Sequence, residues 1–525
     1  MSLLEHEPLT FATGEAEALF EEARSRTRRR RRRGALAALL IAAAAVVSYL
    51  ASSSGGSGVI AQTASTPFVN VRGFAHDGEL AFISRGALWV LDGPAGAVRE
   101  LRTPRGFTPA SPSFSHDGRW LAYLATPAAY SDLEASQLWL ARADGSHAHR
   151  VGRLDIDQLV GWNPKSDLLA AITDTHVRFL FGGRGLQPSA LSLVIPGARV
   201  RQLVALTRSQ ARSRSIWAAA WSPHGNAVAV STYDVVRRGG TAVLAYPVNG
   251  GPPTTWFSIA GSQGLPNLCS HCGGKEVIAG LAGWWQGWGI AFWAFCCGMV
   301  HNNDGSQLEL LHSPRATPHV IANTLSDGIT NALASGPGGA LALVSNRGDR
   351  EIGSGKQVEV CAAGALRCHP LPRASVWSAA DPQTHCPAAC RPFPHAPPGK
   401  AGSGVSLDPS WSPDGRLLAY VKAPVALTGG WPTPAWYGAH ELFVWDPQTN
   451  STRRLGAING AAVPAWSKDG QDLLYVSGDG LWLAPLKTAR AVEIEHPLFK
   501  GTQWFGSDAY YGQIPWSAQF AWWSP

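Results

Sequence analysis

Short runs of alternating apolar and small or polar residues recur along the chain. Leu121-Ala122-Tyr123-Leu124, Val228-Ala229-Val230, Leu417-Leu418-Ala419-Tyr420-Val421 and Leu473-Leu474-Tyr475-Val476 are too short for helices and predict strands. A second apolar run follows a short interval later, as in Leu88-Trp89-Val90-Leu91, Leu138-Trp139-Leu140, Leu442-Phe443-Val444-Trp445 and Leu481-Trp482-Leu483. After a tight turn (Asp144-Gly145, Asp446-Pro447) comes a more polar strand such as Thr452-Arg453-Arg454-Leu455. An aromatic residue leads each unit, and the strand that carries it makes four antiparallel strands per unit.

The aromatic opens a recurring motif. Trp411-Ser412-Pro413-Asp414-Gly415 has close copies at Phe114-Ser115-His116-Asp117-Gly118, Trp221-Ser222-Pro223-His224-Gly225 and Trp466-Ser467-Lys468-Asp469-Gly470. Looser copies begin at Phe74, Trp162 and Ser335. Pro at the second turn position, Asp after it and Gly in the left-handed region form a hairpin turn. Such a repeat predicts stacked supersecondary units. Four-stranded antiparallel units in series are the blades of a β-propeller, an all-β fold.

The motif and its spacing resemble the TolB-type, WD-repeat-like propeller repeat found in bacterial periplasmic and cell-surface proteins, over residues 67–525. Eight blades are expected, with seven as the alternative. One unit is degenerate, around Trp284-Trp285-Gln286-Gly287-Trp288-Gly289 and Ile290-Ala291-Phe292-Trp293. Phe520 to Pro525 reads as a lone first strand that completes the first blade. The motif aromatics Phe74, Phe114, Trp162, Trp221, Trp411, Trp466 and Trp523 are expected to pack between blades. Fold does not fix function, because propellers host unrelated tasks.

The 525 residues contain 22 Trp, 57 Gly and 37 Pro but only 15% charged residues, in keeping with many tight turns. Blade packing accounts for the Trp excess; a ligand-binding aromatic surface is the alternative.

Residues 34–51 are uncharged and mostly apolar, long enough for one transmembrane helix. The run Arg28 to Arg33 before them predicts a cytoplasmic segment 1–33. Residues 52–66 read as a flexible linker, which places 67–525 outside the plasma membrane as a single-pass protein's extracytoplasmic domain. A cleaved signal peptide is the competing reading. Gly280 to Val300 reads as a buried hairpin rather than a second span. The formal net charge of +7 is spread thinly beyond the Arg run and gives no sign of nucleic-acid binding.

An extracytoplasmic location permits disulfides among the eight cysteines. Cys361 and Cys368 are expected to face each other across a hairpin. Cys386 and Cys390 are expected to clip a Pro-rich insertion, and Cys269 and Cys272 to pair with Cys296 and Cys297. A zinc site built on Cys269-x-x-Cys272 is the alternative.

No Gly-x-Ser-x-Gly, P-loop or dinucleotide fingerprint is present, and no catalytic residue, cofactor or metal is assigned. The motif carboxylates Asp77, Asp117, Asp414 and Asp469 read as turn chemistry. The expected function is a binding module for a protein, peptide or envelope glycan, with Phe181 to Ser215, Ser262 to Gly283 and Val376 to Pro409 as candidate contact insertions. An enzyme, a hydrolase or lyase with its site in the central channel, is the rival.

Overall fold

The computed structural model describes residues 66–128, 135–180, 183–197, 200–234, 240–259, 277–296, 307–324, 326, 333–345, 356–371, 404–424, 438–455, 460–488, 490–498 and 518–525. The predicted segments 1–33 and 34–51 lie outside them, as does the predicted linker 52–66 except for its last residue. Among the described residues no helix is long and apolar enough to cross a membrane.

Residues Ala64–Pro525 form one compact unit built almost wholly of strands. Strand β1 (Phe68–Val69) precedes a 3-10 turn at Arg72–Phe74. Then come β2 (Glu79–Ser84), β3 (Ala87–Asp92) and β4 (Ala97–Leu101), followed by β5 (Phe107–Phe114), β6 (Trp120–Pro127) and β7 (Ser136–Arg142). The long β8 (His149–Trp162) leads to β9 (Leu169–Leu180), β10 (Gly183–Val194) and β11 (Val200–Ala205). Next are β12 (Arg214–Trp221), β13 (Ala227–Asp234), β14 (Gly240–Pro247) and β15 (Thr254–Ile259). Strands β16 (Val277–Trp285), β17 (Gly289–Cys296), β18 (Leu308–Leu311) and β19 (His319–Val320) follow. Then come β20 (Leu333–Ser335), β21 (Leu341–Ser345), β22 (Gln357–Cys361) and β23 (His369–Pro370). The chain continues through β24 (Gly404–Trp411), β25 (Leu418–Pro424), β26 (Glu441–Asp446) and β27 (Ser451–Arg454). Last are β28 (Ala461–Trp466), β29 (Asp472–Ser477), β30 (Gly480–Pro485), β31 (Val492–His496) and β32 (Phe520–Trp523).

Five sheets have four strands: β12–β15, β16–β19, β20–β23, β24–β27, and β2–β4 joined by β32. In a sixth, β1 adds to β28–β31. In the seventh, β5 to β11 are continuous because β8 serves twice. Its first half pairs with β7 (Leu140 opposite His149) and its last half with β9 (Trp162 opposite Leu169). Residues 183–205 were expected within an insertion; they instead supply β10 and β11, because Leu186 to Val194 and Val200 to Val204 carry apolar positions enough to extend the sheet.

The motif sets one hairpin geometry throughout. Phe114 faces Leu121, Trp162 faces Leu169, Trp221 faces Val228, Trp411 faces Leu418 and Trp466 faces Leu473. Phe74 differs: it sits fully buried in the 3-10 turn, and Trp523 takes the strand-end place opposite Glu79. The rings of Phe74 and Trp522 lie 6.3 Å apart.

Apolar faces meet between neighbouring sheets, and each fully buried Leu, Val or Phe contributes about 1.5–3 kcal/mol. Ala81, Ile83, Leu88 and Val90 pack on Leu121 and Tyr123; Val243 and Phe257 pack on Ile290 and Phe292; Ala419 and Val444 pack on Leu473 and Tyr475. Indoles tie successive units together. Trp162 Nε1–H donates to Ser113 O, Trp221 to Gly161 O and Trp466 to Ser410 O, each at 2.9 Å. In all three the acceptor immediately precedes the motif aromatic of the preceding unit. Trp162, Trp221 and Trp466 are therefore half-buried packing residues with a polar tip that is used.

Candidate functional site

The motif carboxylates are consumed by their turns. Ser412 Oγ–H donates to Asp414 Oδ1 (2.6 Å), and Ser412 Oγ accepts Leu417 N–H (2.9 Å). The same pattern joins Ser115 to Asp117 and Ser467 to Asp469, both at 2.7 Å. The Ser412 hydroxyl and then the Arg416 backbone N–H hold Asp414 below the usual carboxylate range; the Ser467 hydroxyl and Gln471 N–H do the same for Asp469. Asp77 stands apart, pushed up to about 6, chiefly by burial.

Cys361 and Cys368 are joined by a disulfide, with Cα atoms 4.3 Å apart and both residues buried. It closes the β22–β23 hairpin, where Val360 faces His369. Cys269, Cys272, Cys297, Cys386 and Cys390 lie outside the described residues, as does the side chain of Cys296 at the end of β17. Among the described residues no three His, Cys, Asp or Glu side chains converge on a metal position.

A cleft of about 720 Å³ lies at one end of the β12–β15 and β16–β19 sheets. One wall is the motif turn between β12 and β13, with His224 and Asn226, together with the ends of β14 and β15. The other is the turn between β16 and β17, with Trp284, Trp285, Gln286 and Trp288, and His312 after β18. Trp256 and Trp284 meet edge to face, 5.2 Å apart, and so join the walls. Among the described residues, no Asp, Glu, Lys or Arg lines the cleft.

Local sequence explains how these indoles are presented. Trp285 lies over Gly283, where a β-carbon would come within 2.5 Å of the ring; a register shift beside Gly283 turns the strand there. Trp288 is anchored, nearly fully buried, with Nε1–H donating to Gly339 O of the next sheet. Trp284 and Trp285 remain half-buried, while Gln286, His224, Asn226 and His312 are exposed. Asn226 Oδ1 accepts the Ser222 hydroxyl (2.8 Å), and the His312 ring rests 5.3 Å from His319. The repeat pattern marked Trp284 to Trp288 only as a degenerate unit. The available signal was the replacement of Ser-Pro-Asp-Gly by a Trp-rich turn, which packing alone does not require. His224, Asn226, Trp256 and His312 carried no signal, because only the fold brings them together.

A second cleft of about 540 Å³ occupies the corresponding place beside β6 and β9 and is different in character. Arg142 stacks over Trp120, 4.1 Å from its centroid, and Arg119 bridges Asp117 and Asp167. Its charges are largely satisfied internally.

Glu309 sits between the β12–β15 and β16–β19 sheets. It faces Phe292, where other units set Trp139 against Tyr123 or Phe443 against Tyr420. It is 3% exposed, and burial pushes its carboxyl up to about 8. Its Oε2 has no hydrogen-bond partner among the described residues.

No protein-family model matches the chain, and no curated protein matches it in sequence. Solved structures of similar architecture include an oligogalacturonate lyase in complex with manganese, 11% identical, covering 83% of this chain and 89% of that one, TM-score 0.39. TolB from Acinetobacter baumannii is 12% identical over 82% of this chain and 79% of its own, TM-score 0.31. A prolyl endopeptidase is 11% identical over 79% of this chain and 56% of its own, TM-score 0.42. At such identity and overlap they carry no functional argument.

Proposed function

We propose that this chain is an eight-bladed, TolB-like propeller that acts as a binding module at the outer face of the plasma membrane, tethered by residues 34–51. Support for eight blades comes from dividing the long sheet at β8, whose two halves would end one unit and begin the next. Contacts between units support a closed ring. Gly415 lies against Pro337, Gly470 against Pro413 and Gly118 against Trp523, while the Lys468 N–H donates to Ser524 Oγ.

The observation that carries the functional reading is the aromatic, uncharged cleft between β12–β15 and β16–β19. Its size is that of a small-ligand or short-oligomer site, with a few polar groups around an apolar floor. Three of the motif carboxylates, Asp117, Asp414 and Asp469, are bound into turns, which favours recognition over catalysis.

The test uses the full-length protein in detergent. It is incubated with cell-wall polysaccharide and, separately, with solubilised envelope proteins, and retention is compared with that of Gln286→Ala and Trp285→Ala. Retention that both variants lose supports a binding module working through this cleft. Equal retention of all three proteins, or none of the wild type, overturns it.

A further inference from the structure

We infer that the cleft is a subsite for a neutral saccharide, packed against the half-buried indoles of Trp284 and Trp285 that line it and bonded through its hydroxyls to Gln286, His312, His224 and Asn226. The inference rests on the binding-module reading and specifies its ligand.

Three features converge on this chemistry. First, the cleft is lined by indoles, of which Trp284 and Trp285 are half-buried. A sugar ring presents a face of C–H bonds that packs on a flat aromatic surface, and its amphipathic character matches that of tryptophan. Second, the polar groups around the floor are amides and imidazoles. Each of these both donates and accepts hydrogen bonds, as a hydroxyl does. Among the described residues the exposed Gln286 amide and His224 ring have no hydrogen-bond partner, so both are open to a ligand. Third, charge is absent from the lining. A uronate or phosphate would be desolvated without a cation to meet it, and a quaternary ammonium would find an aromatic wall but no carboxylate.

The neighbouring geometry argues against a peptide in the same place. The lining comes from turns and strand ends, namely Ser222 to Ala227, Trp284 to Gly289 and the start of β15. It offers no strand flank along which an extended peptide adds main-chain hydrogen bonds. The second cleft, with Arg142 and Arg119 at the equivalent place, shows that the same framework carries charge elsewhere. The uncharged lining thus distinguishes this cleft from the second one.

The experiment is isothermal titration of the full-length protein with maltotetraose, cellotetraose and tetra-N-acetylchitotetraose. Tetragalacturonate and a proline-rich decapeptide serve as comparators. At least one neutral tetrasaccharide is expected to bind saturably. Its affinity should fall at least about tenfold in Trp285→Ala and several-fold in Gln286→Ala, and should hold steady as salt rises from roughly 0.05 to 0.5 M. Gln286 is exposed, so its variant keeps the test valid if Trp285→Ala fails to fold. Tetragalacturonate binding as tightly as the neutral sugars, or neutral-sugar binding unchanged in both variants, overturns the inference. If the peptide alone binds, with the same dependence on Gln286, the saccharide assignment falls and the binding-module reading stands. If no probe binds and envelope retention is also insensitive to the variants, both fall.

Discussion

Gly118 lies directly beneath the indole of Trp523, so close that a β-carbon at position 118 would overlap the ring. The residue sits at φ +70°, where a side chain is strained in any case. Two requirements, a turn and a neighbour's ring, thus fall on one glycine.

Gly118→Ala is accordingly expected to destabilise by about 1–3 kcal/mol, from backbone strain and displacement of Trp523. Gly152→Ala, at φ +54° with nothing near its missing β-carbon, carries the strain without the clash. Thermal unfolding should rank Gly118→Ala as the more damaging; equal losses would mean that the Trp523 contact contributes nothing.

The indole bonds give a second contrast. Trp221→Phe keeps the ring but removes the donor to Gly161 O, at a cost of about 1 kcal/mol. Trp411 Nε1 is buried and has no partner among the described residues, so Trp411→Phe should cost less or stabilise. Denaturant midpoints of the two variants decide the point, and the reverse order would show that these bonds do not link the units.

For the hairpin disulfide, replacing Cys361 and Cys368 together by Ala should destabilise by about 2–3 kcal/mol on loop-entropy grounds. Non-reduced peptide mapping should recover the 361–368 pair. Finding either sulfur joined to Cys386 or Cys390 would displace the β22–β23 register.

A pH dependence follows from the buried carboxyls. Burial raises Glu309 and Glu495 from an ordinary 4.5 to about 8, so between these values the folded chain keeps protons that the unfolded chain has released. Stability is then highest below about pH 4.5 for these groups, falls as pH rises, and levels off above about 8. His440, pushed down to about 4 by burial, acts in the opposite sense below its usual 6.5, which leaves pH 6.5–8 to the carboxyls. Melting temperature should decline across that window, and Glu309→Gln should flatten the decline. A Glu309→Gln protein with the wild-type slope would place the titration elsewhere.

The proposed tether at residues 34–51 predicts topology. A reporter active only in the cytoplasm, fused after Pro525, should be silent in cells, whereas strong activity would place residues 67–525 inside.

The repeating part of the architecture was legible because one turn chemistry recurs. Ser-Pro-Asp-Gly and the apolar run after it locate β25 or β29 without reference to the rest of the chain. The Cys361–Cys368 pairing was legible for the same reason, since a short hairpin around Gly364 leaves few registers. Phe74, whose Ala-His-Asp-Gly tail resembles the motif, is buried in a 3-10 turn, and the strand-end place opposite Glu79 goes to Trp523 of the lone C-terminal strand. The bulges that put Ser111, Asp408 and Val463 at positive φ, three residues before their motif aromatics, have no compositional mark. Asp408 there accepts the Val463 N–H of the next unit (3.1 Å), a pairing only the assembled sheets create. The cleft was half legible: its indoles stand together in sequence, but its polar rim comes from two sheets.

The pairing of β32 with β2 has a consequence for biosynthesis. Glu79 to Ser84 emerge early from the ribosome, yet the segment that satisfies one side of their ladder, Phe520 to Trp523, emerges after nearly everything else. Throughout that interval the main-chain amides of β2 are free to recruit a mistaken neighbour, from the same chain or a nascent one nearby. Shielding this first strand until translation reaches Phe520 to Trp523 is therefore a requirement for completing its sheet.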